Sequence, residues 1–173
     1  MDLLKIEGVN ITGDITIEQF TARGIRLNGS TILGSLELND GVILDNFFML
    51  NHAHIKGDLF LDSLRLGTVD DCIAIDKISL EAASLEVDGT AWVSRSVLPV
   101  LIMANARIGE SLQITGTSSY LFNLVDSEIK GDVVFTDNKT TQPVATAVLM
   151  AGASRIRVPP GFDPGRHEGR GRC

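Results

Sequence analysis

Residues 53–61 read AHIKGDLFL, and residues 127–135 read SEIKGDVVF. A pattern written more than once in a chain constrains its fold before any bulk property does, because each copy must build the same local structure. Aligned on its first residue, the pattern also appears as VNITGDITI from Val9, STILGSLEL from Ser30 and LEVDGTAWV from Leu85. A further copy, ARIGESLQI from Ala106, has its Gly one place early. The anchors at 9, 30, 53, 85, 106 and 127 are 21, 23, 32, 21 and 21 residues apart. Three equal steps among five exclude chance similarity between aliphatic stretches.

Within each unit the apolar positions are the first, third, seventh and ninth, with Gly usually at the fifth. Period-two alternation is the mark of a strand whose successive side chains point to opposite faces. The inward set of one unit is Ala53, Ile55, Leu59 and Leu61, and its Gly marks a corner where a side chain would crowd the bend or forbid a positive φ. A second, weaker apolar beat follows each anchor by about twelve residues, as at Thr21–Ile25–Leu27, Val42–Leu44, Leu64–Leu66, Val97–Val100 and Ser118–Phe122. Each unit therefore has more than one apolar side. The expected fold is all-β: a parallel β-solenoid of about six turns of ~21 residues, stacked at the ~4.8 Å strand spacing into a rod roughly 30 Å long. Ile11, Ile32, Ile55, Val87, Ile108 and Ile129 then share one interior row. Leucine-rich repeats have a similar period but need an Asn or Cys column and a helical back, and neither is found. A left-handed β-helix built from hexapeptides does not fit a step of 21.

The rest of the sequence agrees with this architecture. The core must be aliphatic, since hydrophobic residues make up 44% of the chain and aromatics only 5%. Residues 1–142 are expected to form the solenoid. Residues 143–154, apolar after Pro143, are expected to cover its last turn, because an open sheet edge invites pairing. Residues 155–173 read as a flexible basic tail. The 32-residue step implies a bulge or an extra half-turn within 62–84. Residues 45–52, DNFFMLNH, read as a short helix or a corner carrying two aromatics. Residues 1–150 hold ten Lys and Arg against twenty Asp and Glu, whereas 151–173 hold five Arg against Asp163 and Glu168. An acidic body repels phosphates, so direct nucleic-acid binding by it is not expected. Cys72 and Cys173 form neither a disulfide framework nor a metal-ligand spacing, and Cys72 reads as a small apolar filler. The start MDLLKIEG lacks a signal-peptide pattern, and no apolar stretch reaches the length of a membrane span. A cytoplasmic location follows from these readings. Met1 runs almost directly into a repeat unit, as expected if the chain pairs with another molecule there or belongs to a longer solenoid.

Units of the form A-x-I-x-G-D-L-x-L, best matched by AHIKGDLFL and SEIKGDVVF, resemble the pentapeptide-repeat-like proteins of bacteria. In the resemblance, Ala53 or Ser127 is the small corner residue and Ile55 or Ile129 the central apolar one, across residues 9–135. Turns of 21 rather than 20 residues and the lack of strict A-[DN]-L-x-x runs make it a divergent member. The resemblance implies a right-handed quadrilateral β-helix with four sides to each turn. It also implies a protein often without catalytic activity, and in some members an acidic DNA mimic acting on topoisomerases.

Candidate sites are few. Asp14, Asp58 and Asp132 share the column just after the corner Gly, together with Ser35 and Thr90. Stacked carboxylates can serve as the acid and base of glycoside hydrolysis when suitably spaced. The competing reading is Gly-Asp turn chemistry, with each side chain bonded to nearby backbone. His52 and His54 flank Ala53 on the outward side, but no third metal ligand accompanies them, and neither a metal nor a cofactor is expected. The eighth position of each unit points outward and holds Thr16, Glu37, Phe60, Trp92, Gln113 and Val134. Phe60, Trp92 and Val134 are the candidate interaction residues, since Trp favours interfaces. No nucleophile elbow, phosphate loop or zinc-protease motif is present. The sequence therefore favours a non-enzymatic structural or protein-interaction solenoid that contacts a protein partner or itself. The alternatives are an acidic DNA-mimic regulator of a DNA-binding enzyme, and a carbohydrate-active β-helix.

Overall fold

The computed structural model describes residues 3–67, 79–119, 121–140 and 156–157. These form a parallel β-solenoid of about six turns with no helix. Among the described residues no helix is long and apolar enough to cross a membrane. The expected interruption, with Cys72, lies largely outside the described residues. So do the cover segment 143–154 and all of the tail except 156–157.

The strand register divides each coil into four pairing columns. Side one consists of two-residue strands, from Asn10–Ile11 through Thr31–Ile32, His54–Ile55, Glu86–Val87 and Arg107–Ile108 to Glu128–Ile129. Side two consists of four-residue strands: Ile15–Glu18, Leu36–Asn39, Leu59–Asp62, Ala91–Ser94, Leu112–Thr115 and Val133–Thr136. Beyond the last of these, Ile156–Arg157 adds a further parallel strand opposite Val133 and Val134. Side three stacks Thr21, Val42, Arg65, Val97, Ser118 and Lys139. Side four stacks Leu3, Gly24, Phe47, Ser79, Val100 and Leu121.

Alternation within these strands builds the interior. Ile32, Ile55, Val87, Ile108 and Ile129 of the expected row are buried, as are Ala53, Leu59 and Leu61, while Ile11 in the first coil is only partly buried against them. Leu44, in contrast, is 49% exposed and contributes nothing to the interior. Interior polar groups find backbone partners, as buried groups must. Ser30 Oγ donates to the Ile6 carbonyl at 3.0 Å, and Ser127 Oγ donates to that of Met103 at 2.5 Å.

Two corners of each coil are left-handed. Between sides two and three the column is Gln19, Asp40, Ser63, Arg95, Gly116 and Asp137. Between sides four and one it is Gly8, Gly29, His52, Ser84, Asn105 and Asp126, and φ lies between 48° and 64° throughout both columns. This conformation costs an L-residue about 1–2 kcal/mol. In return it aims the corner N–H along the stack: Gln19, Asp40, Ser63, Arg95 and Gly116 each donate to a carbonyl of the next coil at 2.9–3.1 Å.

The glycines at the fifth position of each unit play a different part. Only Gly13 among them has a positive φ, at 96°. At Gly57 the limit is crowding: a Cβ there would lie 2.4 Å from Ser35 Oγ and 2.9 Å from the Gly34 carbonyl carbon.

Both irregular steps arise at one place, the junction of sides three and four. In the first coil Arg23 alone joins Ala22 to Gly24, and in the second three residues, 44–46, stand in its place. In the third coil twelve residues, 67–78, separate Leu66 from Ser79. Residues 45–49 are consequently not a corner or a helix. They belong to the strand Val42–Met49, in which Phe48 is buried while Phe47 lies outside over Gly24.

Candidate interaction face

Side two is a regular surface, because its strands are four residues long in every coil where those of side one are two. The first and third residues of each strand turn inward, which leaves two outward columns. One holds Thr16, Glu37, Phe60, Trp92, Gln113 and Val134; the other holds Glu18, Asn39, Asp62, Ser94, Thr115 and Thr136. In-register pairing places Phe60 directly against Trp92, and their rings stack with centroids 4.5 Å apart and planes 3° from parallel. A stack of this kind contributes about 0.5–1.5 kcal/mol beyond the area it buries. Both rings remain partly exposed. Val134 lies in the same column but is separated from Trp92 by Gln113, so it is not part of the aromatic cluster.

Beside the rings, Asp62 holds Arg95 in a two-pronged contact. Asp62 Oδ1 accepts from Arg95 Nε at 2.9 Å and from Ser94 Oγ at 2.6 Å, and Arg95 Nη2 closes on Oδ2. The Arg95 guanidinium is the main reason the Asp62 carboxyl lies below its usual pKa, against an opposing push from partial burial. Asn39 Nδ2 donates to Glu37 Oε1 at 2.7 Å. Phe60, Trp92, Glu18, Glu37, Asp40 and Arg95 all border a depression of about 600 Å³ on this face. The sequence pattern pointed to the aromatic column but not to Arg95. The link from Arg95 to Asp62 spans 33 positions and depends on which residue occupies the left-handed corner.

The acidic column is built differently. Asp14 Oδ1 accepts the Ser35 N–H at 2.7 Å, Ser35 Oγ accepts the Asp58 N–H at 3.0 Å, and Asp58 Oδ1 accepts the Thr90 N–H at 2.7 Å. Near the other end, Ser111 Oγ accepts the Asp132 N–H at 3.1 Å. Side chains in this column bond backbone as the turn-chemistry reading expects, but the backbone is that of the neighbouring coil rather than of their own turn, so they clip successive coils together. Asp14 and Asp58 are two coils apart with Ser35 between them, and no two of the three aspartates are adjacent. Asp58→Ala is expected to cost about 1–3 kcal/mol through the stranded Thr90 N–H, and Asp58→Asn, which keeps an acceptor, less. Thermal denaturation of the two variants checks this.

Side one carries charges of alternating sign. His54 Nε2 lies 2.8 Å from Asp88 Oδ1, Lys56 Nζ 3.5 Å from Asp88 Oδ2, and Arg107 Nη1 3.0 Å from Glu86 Oε1. Glu128 continues the Glu86–Arg107 column. Side one thus presents no uninterrupted row of carboxylates of the kind a DNA mimic would use. His52 occupies a left-handed corner while His54 opens side one, and among the described residues no three metal-ligating side chains converge.

The Asp88 carboxyl is also held below its usual pKa, chiefly by its hydrogen bond with His54. Asp62 and Asp88 release their protons more readily folded than unfolded. Their contribution to stability is therefore complete above the unfolded value near 4 and is lost as pH falls through the folded values. Acid denaturation is expected to steepen below about pH 4, and Asp62→Asn should flatten that limb, as followed by circular dichroism. Compared with known proteins, the chain matches no family model, no curated protein and no solved structure.

Proposed function

We propose that the solenoid is a non-enzymatic interaction module and that side two is the face it presents to a protein partner or to itself. The observation that supports this most is the Phe60–Trp92 stack, held at the surface of a rigid, regular sheet rather than in the core. Aromatic and arginine side chains at the centre of a contact supply most of its energy, and Phe60, Trp92 and Arg95 are grouped there. The rigid coils reduce the ordering cost of binding, since the contact side chains are positioned beforehand.

The test is photo-crosslinking from the neighbouring outward position. A photoreactive phenylalanine analogue at Gln113 is expected to give adducts of discrete mass, in purified protein or in cell extract. Adding Trp92→Ala should lower their yield tenfold or more. The same probe at Thr31 on side one should give none. Equal yields from both positions, or none from either, overturn the assignment of this face.

A further inference from the structure

The surroundings of the aromatic pair specify what side two would hold. Trp92 covers one face of the Phe60 ring. The opposite face looks toward the preceding coil, whose residue in this column is Glu37. The Glu37 side chain is drawn sideways by its bond with Asn39, and the depression opens there. Four carboxylates, Glu18, Glu37, Asp40 and Asp62, border it against the single guanidinium of Arg95. Arg95 is engaged by Asp62 and is also within reach of the Asp40 charge, and among the described residues neither Glu18 nor Asp40 makes a direct ion pair. The site thus combines an uncovered aromatic face with surplus negative charge at its rim.

Only one common side chain meets both features at once. A guanidinium is planar, stacks on an aromatic ring and forks onto carboxylates, whereas an ammonium is a hydrated point charge that does neither as well. The same fold already uses arginine both ways. Arg26 lies over the Phe47 ring at 4.8 Å, and Arg95 forks onto Asp62. We propose that side two binds an arginine-bearing basic segment of a partner protein. One guanidinium would seat on the free face of Phe60, within reach of Glu37 and Asp40. This rests on side two being the interaction face and adds the chemistry of what it binds.

Trp92 is the only tryptophan in the chain, so its emission reports the site without labelling. The full chain is titrated with a synthetic peptide of alternating Arg and Gly, and with the matching Lys–Gly peptide. The expected result is a saturable change in Trp92 emission with the Arg peptide, at least fivefold weaker binding of the Lys peptide, and tenfold or greater weakening in Glu37→Gln/Asp40→Asn. Equal binding of the two peptides would reduce the effect to general charge attraction and overturn the proposal. So would a response unchanged by the double substitution, or the absence of a saturable response. The titration is repeated with Arg166, Arg170 and Arg172 replaced by Gln. Binding seen only in that variant would make the chain's own basic segment the occupant, and would equally overturn a foreign partner. If the peptides fail while crosslinks from Gln113 persist, the face stands and its partner has other chemistry. If both fail, the face falls as well.

Discussion

Phe48→Ala is expected to destabilise the solenoid by about 3–5 kcal/mol, and Phe47→Ala by far less, although the two residues are adjacent. Phe48 is fully buried on side four, paired with Ile25 in the coil before and Leu80 in the coil after. Its removal leaves a cavity that cannot close, because backbone hydrogen bonds fix the coils on either side. Phe47 points outward, where its ring covers Gly24 and carries the Arg26 guanidinium. Losing it forfeits a cation–π contact of about 0.5–1 kcal/mol and some apolar contact, but opens no interior space. Stacked coils can unfold in parts, so the comparison uses thermal midpoints of both variants under identical conditions. Equal losses would mean that the strand Val42–Met49 has the wrong register.

That pair of residues also marks how far the sequence could be read. The interior row from Ile32 to Ile129 was legible because a two-residue period is written directly in the letters, and a strand leaves no other choice for which side is buried. DNFFMLNH was not, because two adjacent aromatics break the alternation. The two surplus residues within 44–46 displace the pattern just where the strand resumes. The lengths of the irregular steps were visible, yet their shared position between sides three and four was not, since only pairing between coils reveals it. The left-handed corners left a fainter trace. They fall one residue before and ten residues after each anchor, and Gly, Asn and Asp occupy several of those positions. At Gln19, His52, Ser63 and Arg95 the stack imposes the conformation against local preference, so composition hides it. For the candidate site, the outward column gave Phe60 and Trp92 by simple alternation. The clip made by Asp14 and Asp58 and the fork between Asp62 and Arg95 both join different coils, and required the register in space.

A second large effect is expected at Gly109, where alanine should cost about 1–3 kcal/mol or more, while Gly29→Asn should cost less than about 1 kcal/mol. A Cβ at position 109 would lie 2.0 Å from the Asp88 carbonyl oxygen and 2.8 Å from its carbon, and these are backbone atoms with no rotamer to move them aside. Relief requires the two coils to separate. That would stretch the neighbouring ladder, in which Gly109 N–H donates to Val87 at 2.8 Å and Glu110 N–H to Gly89 at 3.0 Å. Gly29 is the opposite case. Its φ is +64°, nothing lies within 4 Å of the added Cβ, and the equivalent corners already hold Asn105 and Asp126 in the same conformation. Thermal melts of Gly109→Ala and Gly29→Asn separate the two roles of glycine in this fold. A larger loss at Gly29 would mean that backbone conformation, and not the closeness of stacked coils, determines where the chain requires glycine. The expected order instead makes the spacing between coils the quantity that the repeated Gly protects, because every interior row, every corner N–H and the stacked rings of side two depend on that one distance.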